Sequence, residues 1–185
     1  MTKRPLLIAT IAACLALATC AAVPVAARAD GGDNTAVAAN TRDDSSVYRF
    51  SFKILRVQKD VVDSGNAAVA VSSCTDCRTV AVAIEVLFTT NDATVVSPTN
   101  LAFALNVDCN DCETLADAFQ YVLSEGDPLK VHFTAEGNQK LAEVRREANA
   151  LRKSDLPLLE LQARIEQLAA EVADVLANDV VVAGK

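Results

Sequence analysis

Four cysteines fall into two identical spacings, Cys74-Thr75-Asp76-Cys77 and Cys109-Asn110-Asp111-Cys112. A thiol pair at i and i+3 offers three kinds of chemistry. It can close as a local disulfide, Cys74–Cys77 and Cys109–Cys112, because a β-turn brings its ends within about 7 Å, inside the reach of that bond. Thr75-Asp76 and Asn110-Asp111 are ordinary turn residues, as this requires. Alternatively, the four thiolates can hold one tetrahedral zinc ion. Third, a pair can exchange disulfides where a cation or a helix N-terminus lowers the first thiol's pKa. Against zinc stand the stretch between Cys77 and Cys109, longer than a zinc ribbon uses, and the lack of a following Gly, since Arg78 and Glu113 take those places. Against exchange stand Asp76 and Asp111, whose charge raises a neighbouring thiol's pKa, and the absence of a thioredoxin-type βαβ pattern. A bond between loops, such as Cys74–Cys109, is a further arrangement. The expected site is therefore a disulfide set on Cys74, Cys77, Cys109 and Cys112 with no cofactor, and zinc on the same four residues is the alternative.

Other chemistry is scarce. His132 is the single histidine, so a two-histidine metal site and an H-E-x-x-H protease helix are both excluded. It lies between Val131 and Phe133 and reads as a strand histidine. A Ser-His-Asp set would need it, and there is no G-x-S-x-G elbow. Six glycines leave little room for a phosphate loop. Glu160, Glu166 and Glu171 read as solvated helical charges, and Arg145-Arg146 with Arg152-Lys153 as surface ion pairing. No catalytic residue is expected, so an enzyme is the less favoured class.

The elements that must position the cysteines follow an exported leader. Lys3 and Arg4 precede an apolar run from Leu6 to Ala27, and Ala27-Arg28-Ala29 stands before polar Asp30-Gly31-Gly32. These are the parts of a secretory signal peptide, with cleavage expected after Ala29. Retention as a membrane anchor is the competing reading, since about 20 apolar residues span a bilayer; lipoprotein processing at Cys20 fits less well because Thr19 precedes it. Cys14 and Cys20 would leave with the segment. Losing Lys3, Arg4 and Arg28 takes 17 basic residues to 14 against 24 acidic ones, a net charge of −10. That disfavours nucleic acid and anionic membrane as partners. Export into an oxidising space favours disulfides.

Three segments open alike, at nearly constant separation: Asn34-Thr35-Ala36-Val37-Ala38-Ala39, Asn66-Ala67-Ala68-Val69-Ala70-Val71 and Asn100-Leu101-Ala102-Phe103-Ala104-Leu105. Each is followed by a polar turn and a longer alternating run: residues 47–54, 79–89 and 114–123. In the second run Val80, Val82, Ile84, Val86 and Phe88 share one face while Thr79, Ala81, Ala83 and Glu85 share the other, which is the strand period. Residues 113–123 are also compatible with a helix, through Leu115, Phe119 and Val122, and the internal repeat favours strand. Each unit then predicts strand, tight turn, strand, and three units predict an antiparallel meander of about six strands. Its turns would share one end, with the cysteine loops roughly 10 Å apart. In the first unit Arg42 and Ser45 take the cysteine positions.

Beyond Thr134 the period changes. Leu141, Val144, Ala148 and Leu151, then Leu158, Leu161, Ile165, Leu168, Val172 and Val175, repeat at 3-4 spacing as an a/d seam. Thr134 is a candidate N-cap, Ser154-Asp155 supplies the second, and Pro157 suits a first turn. A short turn makes the two helices antiparallel neighbours. Their seam would cover the sheet or join two copies as a homodimer. The expected fold is α+β: 1–29 signal peptide, 30–133 a repeated β-hairpin domain, 134–185 a helical hairpin.

The opening segments, Ser45-Ser46-Val47-Tyr48-Arg49, the two cysteine loops, Arg145-Arg146-Glu147 and Ser154-Asp155-Leu156 together resemble an extracytoplasmic domain of actinobacteria. It occurs there in secreted proteins and in membrane proteins labelled peptide zinc metalloproteases. The resemblance implies a secreted or cell-envelope location. It implies no protease activity, because the zinc-binding helix has no counterpart in this chain. The expected function is a secreted, non-catalytic structural or protein-interaction domain with two disulfide-stapled turns and an unknown protein partner. A zinc-binding or thiol-redox protein of the envelope is the alternative.

Overall fold

Alternation does produce strands, but they do not turn back as hairpins. The computed structural model describes residues 32–183. The expected signal segment, with Cys14 and Cys20, lies outside them. Six long strands come first: β1 (Asn34–Asn40), β2 (Ser46–Val57), β3 (Val61–Ser72), β4 (Arg78–Thr89), β5 (Val95–Asn106) and β6 (Glu113–Ser124). Strands β1, β3 and β5 form one parallel sheet, and β2, β4 and β6 form another. The antiparallel meander is thus corrected to a two-sheet parallel solenoid of three coils. Each turn after an odd strand carries the chain across to the opposite sheet instead of back beside itself. The strand of that opposite sheet serves as the crossover that parallel pairing requires. Asn34, Asn66 and Asn100 consequently stand in register, as do Tyr48, Val80 and Leu115. Residues 113–124 are strand.

Side-chain size explains the two layers. Between the sheets lie small residues, Ala36, Ala38, Ala68, Ala70, Ala81 and Ala83, all buried, which let the sheets approach closely. The other face of β4, Val80, Val82, Ile84, Val86 and Phe88, packs under the helices. β4 is accordingly buried on both faces, as an inner parallel strand is. Among the described residues the outer face of the first sheet is left uncovered, with Val37 55 % and Phe103 44 % exposed.

The helices are α1 (Ala135–Ala150) and α2 (Leu158–Asn178). Ion pairs Arg164–Glu147 and Lys140–Asp179 run in opposite chain directions, so the two are antiparallel. Their seam residues Leu141, Val144, Ala148, Leu161, Ile165, Leu168, Val172 and Val175 are buried against β4. Thr134 caps α1, its Oγ1 accepting from Gly137 N at 2.9 Å. The second cap differs from expectation: Pro157 occupies the cap position without a side-chain bond, and Ser154 Oγ accepts from Leu156 N within the linker. The segment around His132 is a short strand, β7 (Val131–Phe133), and it pairs antiparallel with one that escaped the sequence reading, β8 (Val180–Val182). No described helix is long and apolar enough to cross a membrane.

Candidate functional site

The cysteine loops are the turns between β3 and β4 and between β5 and β6. Stacked coils continue their strand bonding through these turns: Asp76 N donates to Asn110 O at 2.9 Å, Asn110 N to Cys74 O at 3.2 Å, and Glu113 N to Cys77 O at 2.8 Å. The first coil joins the stack through Asp44 N to Thr75 O at 3.1 Å. Asp44, Asp76 and Asp111 all adopt positive φ, 51°, 50° and 52°, a left-handed geometry that aspartate tolerates better than most residues. The third turn is slightly longer than the second, and Asp108 with φ 46° absorbs the addition.

Parallel stacking brings the two loops onto adjacent coils, closer than a meander would. Cys74–Cys77 and Cys109–Cys112 stand at disulfide distance, with Cα separations of 6.1 and 5.9 Å. Across the coils Cys77 Sγ lies 3.4 Å from Cys112 Sγ. All four sulfurs fall within 4.8 Å of one another. Cys74 and Cys77 are buried and the other two half-buried.

Geometry alone fits a metal, since four thiolates around zinc at about 2.3 Å would sit roughly 3.8 Å apart. The surroundings weigh the other way. Cys74 Sγ lies 3.3 Å from the Asn40 carbonyl oxygen, and Cys112 Sγ 2.9 Å from that of Cys74. Carbonyl oxygens and three neighbouring aspartates oppose accumulated negative charge, whereas a disulfide is neutral. An open depression beside the loops is lined by Asp44, Ser45, Asp76, Cys77, Arg78 and Glu113. Arg78 and Glu113, which replace the glycines of a zinc knuckle, bind each other: Nε donates to Oε2 at 2.5 Å. Arg78 also donates to the Leu156 carbonyl at 2.9 Å, tying the loop to the interhelix linker.

One buried carboxyl and one half-buried carboxyl were given no role by the sequence reading. Glu85 is 0 % exposed between the sheets, accepting from Ser64 Oγ at 2.9 Å and Gln120 Nε2 at 2.8 Å. Burial pushes its pKa up against those two bonds. Asp117 faces the helices, with Oδ2 unpartnered among the described residues. Burial, then the Glu166 carboxylate, pushes it up to about 6. Burial and then Asp117 raise the Tyr48 phenol. The signal for both acids was available: each interrupts an alternating run at a position that strand geometry turns inward. His132 is an exposed residue of β7. Arg145 stacks over Phe52 at 4.3 Å from the ring centre.

Compared with known proteins, the chain matches no protein-family model, no curated protein and no solved structure.

Proposed function

We propose that the protein is an exported, non-catalytic structural or protein-interaction module of the cell envelope, held in shape by disulfides Cys74–Cys77 and Cys109–Cys112. The observation that carries this reading is the pairing of the sulfurs within each turn, in surroundings of carbonyl oxygens and aspartates that favour a neutral bond over thiolates. The leader-like segment 1–29 supports export, and the resemblance to actinobacterial extracytoplasmic domains supports the compartment. The protease label of some of those proteins does not pass to this chain. The test is the intact mass of secreted protein, under native and denaturing conditions, with alkylation before and after reduction. Four blocked cysteines and a mass beginning at Asp30 are expected.

A second reading is a four-cysteine zinc site, favoured by the clustering of all four sulfurs within 4.8 Å. Cys74, Cys77, Cys109 and Cys112 would hold the ion. The same experiment decides it: four free thiols with one zinc in the native mass would replace the disulfide reading.

A further inference from the structure

The two ends of the solenoid are built differently. At the first end, β2 carries Arg49 and Lys53 in the inward row where β4 has Ala81 and Glu85. Both cations are exposed, and Lys53 Nζ donates to the Asp33 carbonyl oxygen. The inward residues of β1 beneath them, Asn34, Ala36, Ala38 and Asn40, are no more than 3 % exposed. Such a polar terminal coil is how repeat folds are capped. Among the described residues nothing caps the other end. Asn100, Ala102, Ala104 and Asn106, the inward row of β5, are all exposed. On β6 the inward Val122 is 39 % exposed. Strands β5 and β6 are edges of their sheets, so each offers a row of unpaired N–H and C=O groups.

The asparagine ladder points the same way. Asn34 Nδ2 donates to Asn66 Oδ1, and Asn66 Nδ2 to Asn100 Oδ1, both at 2.8 Å. At the capped end Ser51 Oγ satisfies Asn34 Oδ1 at 2.5 Å. At the open end Asn100 Nδ2 reaches the Ala118 carbonyl at 2.8 Å, but has no next asparagine to receive its second N–H.

We infer that the open end formed by β5 and β6 docks a second copy of this chain, joined end to end about a two-fold axis. This rests on the interaction-module reading and names the partner. Head-to-tail growth is disfavoured, because in register it would bury Arg49 and Lys53 against Ala116 and Gln120 as unpaired cations. A two-fold axis turns facing edge strands antiparallel, which any unpaired edge accepts. β5 has no charged residue to oppose burial. Pro98 lacks an N–H, so pairing on β5 runs over residues 99–106. Two strands roughly 30–40 Å long, spanning about 20 Å across both sheets, bury about 600–800 Å² per copy, the size of a standard stable interface. Residues 32 and 33 enter β1 at the capped end.

The experiment is sedimentation equilibrium of the secreted protein at micromolar concentration, with thiol state measured on the same sample. A dimer that Ala104→Lys and Ala118→Lys each convert to monomer, with unchanged circular dichroism, is the expected result. A wild-type monomer overturns the inference, as does an open series of higher oligomers. So does a dimer that survives both substitutions and is broken by Leu159→Lys, on the exposed face of α2. If a substitution unfolds the chain, protection of the β5 and β6 amides in wild-type hydrogen exchange decides: fast exchange of both edges overturns it. Monomer with four blocked cysteines defeats the dimer while leaving the disulfide reading intact.

Discussion

Cys77 Sγ and Cys112 Sγ face each other at 3.4 Å across two adjacent coils, each already within disulfide distance of a partner in its own turn. The turns are held in register by backbone bonds between the coils, whereas each cysteine pair lies within one turn. Removing one bridge should therefore not collapse the stack. A bridge over so short a loop constrains the unfolded chain by about 2 kcal/mol in the loop-entropy picture. We expect Cys74→Ser/Cys77→Ser to fold and to lose about 1–2 kcal/mol in thermal melts. Complete loss of structure would show that the bridges determine the fold and do not merely trim it.

Asp117 supplies a pH dependence of definite sign. Its folded pKa is raised from 3.8 to about 6, by burial first and Glu166 second. The folded state therefore binds the proton more tightly than the unfolded one. The stability this contributes is complete below about pH 4 and is lost as pH rises through about 6. We expect Asp117→Asn to stabilise the protein by about 1–2 kcal/mol at pH 7.5, discounted because the carboxyl is only partly buried, and by almost nothing at pH 4. Urea unfolding at both pH values measures the difference; an equal effect at each would refute the assignment.

Asn66 is the middle rung of its ladder, 1 % exposed, and bonds to asparagines on both sides. Its amide also donates to the Phe119 carbonyl at 3.0 Å. Asn66→Leu would remove the acceptor of one Asn34 amide N–H, leaving Asn34 Nδ2 only its bonds to backbone carbonyls such as Ile84 O at 2.9 Å, and would take the side-chain donor from the Phe119 carbonyl. We expect a loss of about 2–4 kcal/mol, more than Asn100→Leu at the exposed end. Comparable losses at both positions would contradict the ladder's burial gradient.

Gly137 sits in the first turn of α1, where an added Cβ would lie 2.6 Å from Asp179 Cβ. Asp179 clasps the start of that helix, accepting from Thr134 Oγ1 at 2.9 Å and Lys140 Nζ at 3.0 Å. Alanine normally gains about 1 kcal/mol over glycine inside a helix. Here we expect Gly137→Ala to lower stability by about 1–2 kcal/mol, because the clasp must shift. A rise in Tm would sink this account.

Period-two alternation in residues 79–89, the internal repeat that extends strand to 114–123, and the 3-4 seam from Leu141 to Val175 determined which stretches are strand and which helix. Local geometry sets those periods, so the residues carry them without a partner. The two cysteine turns, the Thr134 cap and the matching of Arg42 and Ser45 to cysteine positions were legible for the same reason. Which way the strands pair was decided only in three dimensions. A short turn such as 73–77 can return a chain beside itself or carry it to a facing sheet, and alternation marks a strand's faces without naming its neighbour. The choice comes from contacts one full coil apart along the chain: asparagine on asparagine at Asn34, Asn66 and Asn100, and alanines small enough to let two sheets close together. That same pairing put Cys77 over Cys112, buried Glu85 between the sheets, and left β5 and β6 without a coil to cover them.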